Sequence, residues 1–146
     1  MAIVTRTMIE QRISAAELIV LTDDAAAGTV DATVVDRCIA DGEGEVLGRI
    51  AQAYTIPLDL GDENTAAMVR TALLDAVVYR LFARKPPVPE DFYNAYRNAI
   101  AWAEKVGEGK LGLVGEVPVD EAPAGGGRIA IDASERVFSR ESFEGL

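Results

Sequence analysis

The sequence predicts an all-α fold: a small bundle of two short N-terminal helices and three longer helices, with an extended C-terminal tail that can form a short strand. Three observations lead there. Apolar residues recur every three or four positions through three long segments, which is the period of one helix face. Residues that start and stop helices bracket each of those segments. The chain is 49% hydrophobic but only 6% aromatic, and the alanine and valine that supply much of this content favour close helix packing over bulky clusters.

Thr5 to Ile13 reads as the first short helix. Ser14-Ala-Ala-Glu17 opens the second with a capping-box pattern, in which Ser14 and Glu17 can satisfy each other's backbone donors. Asp31 is a good N-cap for a long helix. Its apolar positions are Val35, Cys38 or Ile39, Gly42, Val46, Ile50 and Ala53, and the pattern predicts a run to about Thr55, with Pro57 ending it. Gly42, Gly44 and Gly48 each weaken that helix by up to about 1 kcal/mol relative to alanine, so close backbone contacts or a local kink are expected there. The next helix begins near Asn64 and carries Ala67, Val69, Ala72, Leu73, Ala76, Val77, Tyr79 and Phe82 before Arg84-Lys85 and Pro86-Pro87 stop it. The last begins at Pro89, has Glu90 and Asp91 in its first turn, presents Phe92, Tyr96, Ala99, Ile100 and Ala103 as a stripe, and ends near Gly107.

At 146 residues the chain fits one ordinary domain that buries about two-thirds of its unfolded surface without disulfides. Residues 1–116 are expected to form the helical core and residues 117–146 a linker and C-terminal docking tail. The tail contains Gly125-Gly-Gly127 and the alternating segment Arg128 to Asp132, then regains apolar residues at Val137, Phe138, Phe143 and Leu146. A hydrophobic tail beyond a glycine linker asks for a surface to bind.

The formal charge of -10 and the pI near 4.4 argue against gripping nucleic acid or anionic lipid, which takes clustered Lys and Arg. No apolar run of membrane-spanning length and no signal-peptide pattern occurs, so synthesis in the cytoplasm without a membrane role is expected. Cys38 is the single cysteine and histidine is absent, which removes Ser-His-Asp and Cys-His catalysis and histidine-bearing zinc sites. Cys38 reads as a small core residue.

Leu21 to Asp36 resembles a calcium-binding loop between two helices. With Asp23 at the first position, Gly28 falls at the sixth, where such loops turn, and Asp31 at the ninth. Alanines Ala25 and Ala27 stand at the third and fifth, however, and Val34 at the twelfth, so the ligand count fails and the stretch reads as a connector. Gly107-Glu-Gly-Lys-Leu-Gly112 matches G-x-G-x-x-G, but it follows a helix rather than a strand and reads as a cap and turn. The pairs Asp23-Asp24, Asp62-Glu63 and Glu90-Asp91 flank helix ends, where acids cap and favour the helix dipole. Tyr54, Tyr79, Phe92, Tyr93, Tyr96 and Trp102 occur at helical spacing expected of packing, with Tyr93 and Trp102 as candidates for partial exposure. No catalytic, cofactor-binding or metal residues are assigned.

The order of these pieces resembles the Mu-like phage family of small head-tail adaptor or neck (head completion) proteins, long catalogued as of unknown function. The matching features are Glu17 to Asp23, the loop with Gly28 and Asp31, Ala53-Tyr-Thr-Ile-Pro-Leu58, Leu73 to Phe82 and Arg136-Val-Phe-Ser-Arg140. The resemblance implies a virion subunit at the head-tail junction, in a homo-oligomeric ring, commonly twelvefold. Its implied partners are the portal protein and tail-proximal neck proteins. DNA would pass through without specific binding, and an acidic wall suits that passage. Tyr54, Pro57 and Leu58 then read as a corner that fixes the ring-facing segment, and Phe138, Arg140, Phe143 and Leu146 as docking residues. The alternative reading is a soluble monomeric helical regulator that binds a host or phage protein through its C-terminal tail. An enzyme using carboxylates with Ser or Tyr ranks third.

Overall fold

A computed structural model describes residues 2–119. Five helices follow one another, α1 (Arg6–Arg12), α2 (Ala15–Thr22), α3 (Ala32–Ile50), α4 (Glu63–Ala83) and α5 (Glu90–Gly107). The expected all-α bundle of two short and three longer helices is what forms. The short strand at Arg128 to Asp132 lies outside the described residues.

The central element is α4, against which all four other helices pack, while α3 and α5 also pack on each other. Its side chains are therefore buried on more than one face: Val69, Leu73, Ala76, Val77, Val78 and Leu81 are sealed from solvent. The single stripe expected for this helix underestimates it. Ala67, placed on that stripe by its spacing, is exposed, while Thr65 and Ala66 are buried.

Local chemistry explains the starts. Thr5, Ser14, Asp31 and Asp62 each accept a backbone N–H of the first turn they precede, satisfying donors that lack helical partners. Ser14 accepts from Glu17 N–H at 3.2 Å, which is the forward half of the capping box. Pro89 stands one position earlier than expected, at the N-cap of α5.

The glycines of α3 divide. A Cβ on Gly42 would stand 2.8–2.9 Å from Val77, including its backbone, whereas positions 44 and 48 open onto space. Close helix approach is confirmed at Gly42 alone. A Cβ on Gly107 would lie 2.2 Å from the Arg49 carbonyl oxygen, so the ends of α3 and α5 also touch through backbone.

The run of α3 to about Thr55 is corrected. The helix ends at Ile50, followed by a tightened turn in which Ala53 N–H donates to the Ile50 carbonyl. The backbone beyond is committed elsewhere. Thr55 N–H donates to the Val117 carbonyl at 2.8 Å and Val119 N–H to the Ala53 carbonyl at 2.9 Å, around an antiparallel bridge between Tyr54 and Pro118. Val117 to Val119 thus pair with Ala53 to Thr55, just beyond α3. The Ile56-Pro57 and Pro86-Pro87 peptide bonds are cis.

Candidate interaction surfaces

The bundle has two differently built ends. At the first, which we call the cap end, α3 and α5 finish and α4 begins, and residues 51–62 and 108–119 close over them. At the second, the loop end, α3 and α5 begin, and the loop after α2 packs beside the end of α4.

The cap is fixed by side chains that hold backbone. Tyr54, half-buried, accepts Leu113 N–H on its hydroxyl at 2.8 Å. Glu116, buried, accepts Asp59 N–H and Leu60 N–H on its two oxygens at 2.8 and 2.7 Å. Leu60 sits at φ +55, a left-handed conformation that side chains other than glycine adopt at a cost, so the Glu116 clamp holds a strained corner. Leu58 and Leu113 enter the core and Pro57 is exposed. Of Tyr54, Pro57 and Leu58, only Pro57 stands out in solvent. Gly107 closes α5, and Gly109, at φ +73, unwinds the chain after it. That is the cap and turn expected of the glycine-rich stretch.

Over this scaffold the cap exposes apolar side chains. Ile56, Leu111, Val114, Val117 and Val119 are between 40% and 68% exposed. Val117 and Val119 are two apart on an extended, paired segment, so they share one face.

The loop end is closed by charge. Arg84 donates to the Leu21 carbonyl and to Asp24, and Lys85 to the Val20 carbonyl, placing two cations on the C-terminal carbonyls of α2, where the helix dipole favours them. The Asp23 carboxylate accepts Ala27 and Gly28 N–H at 2.9 and 2.7 Å, and these bonds hold its pKa below the usual carboxylate value. The Arg84 hydrogen bond likewise lowers Asp24. Asp23 and Asp31, the acids at calcium-like positions, therefore accept backbone N–H groups of the loop and of α3, while Asp24 pairs with Arg84 and Lys85. Thr22 and Asp31 close its two sides, Asp31 N–H donating to the Thr22 hydroxyl.

Between the ends, Glu45 joins three helices. It accepts from Arg80 at 2.6 Å and from the Tyr96 hydroxyl at 2.8 Å, with Arg49 alongside. Burial pushes its carboxyl up, but the Arg80 and Tyr96 bonds outweigh burial and hold it low. The Tyr79 and Tyr96 rings stack at 3.9 Å and those of Phe82 and Phe92 at 4.7 Å, as packing residues should. Burial pushes the Cys38 thiol up, away from the thiolate a nucleophile needs. Glu43, also buried, accepts Ile3 and Val4 N–H and ties the N-terminal segment to α3.

A groove of about 410 Å³ runs between α4 and α5, lined by Ala67, Met68, Thr71, Asp75, Asn98 and Trp102 among others. Met68 is nearly half exposed and Trp102 half-buried, and Tyr93, nearer the loop end, is exposed under Arg97. Sequence reasoning had flagged Trp102 and Tyr93 but not the groove, Glu116 or Glu43. Phe138, Arg140, Phe143 and Leu146 lie outside the described residues. No described helix is long and apolar enough to cross a membrane.

The family model described as Bacteriophage Mu, Gp36 matches residues 4–131, spanning every described helix and most of the chain. No curated protein matches the chain.

Proposed function

The chain belongs to the bacteriophage Mu Gp36 family, and from that premise we propose that it is a structural subunit of the phage head-tail connector. In this reading it joins a homo-oligomeric ring below the portal, at the head-tail junction of the virion, and contacts the portal and tail-proximal neck proteins. It is not an enzyme and takes no cofactor or metal.

The observation that carries the reading is the cap end. Exposed apolar side chains on backbone held by Glu116 and Tyr54 are what a docking face requires, because a pre-ordered surface loses little further conformational freedom on binding. The net charge of -10 supports the passage of DNA, since a wall of like charge supplies no counterion-release affinity.

Residues 134–146 carry the docking side chains Phe138, Arg140, Phe143 and Leu146. A chain ending at residue 133 is expected to keep its helical circular dichroism and cooperative unfolding but to fail in particle reconstitution. Normal assembly by the truncated chain would remove the tail from the docking role.

A further inference from the structure

Arg37, Cys38 and Asp41 are spaced within one turn of each other along α3, and Arg80, Ala83 and Arg84 likewise along α4, so each set shares a face of its helix. The two faces line a pocket of about 290 Å³ near the loop end, where Cys38 and Ala83, both small, leave the space. Three of the chain's 14 basic residues meet there, although the chain carries 24 acidic ones. Cations gathered in an acidic chain ask for an anion.

Their donors are not all in use. Arg84 is committed to the Leu21 carbonyl and Asp24, and Arg80 gives one terminal nitrogen to Glu45. Arg80 Nε, however, is buried and meets no acceptor among the described residues. A buried donor in that state is costly and rare in folded proteins. Arg37 is exposed and enters no ion pair among the described residues, even though Asp41 stands four positions along the same helix.

We propose that this pocket is an oxyanion site that takes the carboxylate of an acidic side chain presented by a partner protein. Arg37 offers a planar fork of donors that matches the two oxygens of a carboxylate. Arg80 gains an acceptor for Nε, and Arg84, already bonded, contributes positive field. The charge of the chain selects the source of the anion. A nucleic acid brings a row of phosphates, which a chain of charge -10 repels and which the exposed Asp24 and Asp41 beside the pocket oppose. A single carboxylate on a side chain passes between them. Asp41, the one opposing charge on the wall, weakens the site without cancelling it.

Full-length protein labelled with a nitrogen isotope is titrated with a blocked tetraglutamate peptide, with inorganic phosphate and with a short single-stranded oligonucleotide, each against sodium chloride of matched ionic strength. The arginine Nε–H resonances are followed by NMR. The peptide is expected to shift the Arg37 and Arg80 signals saturably. Read on Arg80, its affinity should fall about tenfold in Arg37→Ala, the loss of one charge-assisted hydrogen bond. Arg37→Lys, which keeps the charge without the fork, should restore it only in part, and Asp41→Asn should tighten binding severalfold. Arg37 and Asp41 are exposed and bond no other described side chain, so these variants keep their helical circular dichroism. Shifts no larger than those of the salt control, or unchanged affinity in Arg37→Ala, would overturn the proposal. Tighter binding of phosphate or of the oligonucleotide than of the peptide would also overturn it and give the pocket to a phosphate. The titration involves neither the portal nor the cap, so its outcome and that of the connector reading are independent.

Discussion

The two ends of the bundle meet the same problem, closing off helix termini, by opposite means. At the loop end Arg84 and Lys85 reach the carbonyls of α2 and the acids of the loop bind neighbouring N–H groups and cations. At the cap end Glu116 and Tyr54 fix the backbone from inside, and Ile56, Leu111, Val114, Val117 and Val119 stand exposed beside charged side chains such as Glu108 and Lys110. The loop end, which also exposes Val20, is closed by charge, whereas the cap end sets five exposed apolar side chains on backbone held from inside. That difference is what supports the proposed reading of the cap as the docking face.

The largest expected effect comes from disturbing what seats the cap. Gly107→Ala sets a Cβ against the Arg49 carbonyl and should destabilise by about 3 kcal/mol in denaturant titration, at the upper end of typical overpacking. Gly42→Ala, against Val77, should follow it. Gly44→Ala and Gly48→Ala, facing open space, should instead stabilise by up to about 1 kcal/mol each. If all four behaved alike, close approach would not distinguish them.

Glu116→Ala leaves the Asp59 and Leu60 donors without their acceptor, at a cost of about 1–3 kcal/mol. Faster amide exchange should be confined to residues 54–62. At the loop end Arg84→Ala should cost less than Glu116→Ala, because its partner Asp24 is solvent-exposed and screened and the Leu21 carbonyl it also bonds can turn to water.

A titration reads both ends at once, since Asp62 at the start of α4 is likewise held low by its bond from Thr65 N–H. Asp23 and Asp24, and more centrally Glu45, bind protons less readily folded than unfolded. The stability they contribute is therefore present above their unfolded pKa values and is lost as pH falls below about 4. The melting temperature should drop in that window, and the Asp23→Asn, Asp24→Asn double variant should show a shallower drop. The smallest expected effect is that of calcium. Its addition should leave the melting temperature unchanged, and a concentration-dependent rise would restore the loop as a metal site.

Much of the fold was legible because local chemistry carried it. Thr5, Ser14, Asp31 and Asp62 announce their helices, and the apolar period of α5 matches its buried face. Less legible was what depends on partners far along the chain. Glu116 bonds Asp59 across 57 positions and Glu43 bonds Ile3 across 40, so neither carboxylate stands out from the solvated acids around it. The early end of α3 has the same origin, since pairing with Val117 to Val119 competes for backbone that Pro57 alone would have left helical for longer. A stripe read along α4 missed Val78 and Leu81 because a helix surrounded by four others buries more than one face. Of the candidate contact residues, Tyr54, Pro57 and Leu58 rest on order and spacing alone. The exposed valines beside them took the fold to reveal.

Light scattering of the full-length protein with purified portal tests the central claim most directly, comparing wild type with a Val117→Asp, Val119→Asp variant whose helical circular dichroism is retained. The account predicts a high-mass ring complex for wild type and its loss in the variant. A wild type that stays at low mass beside the portal, or a variant that assembles as wild type does, would contradict it.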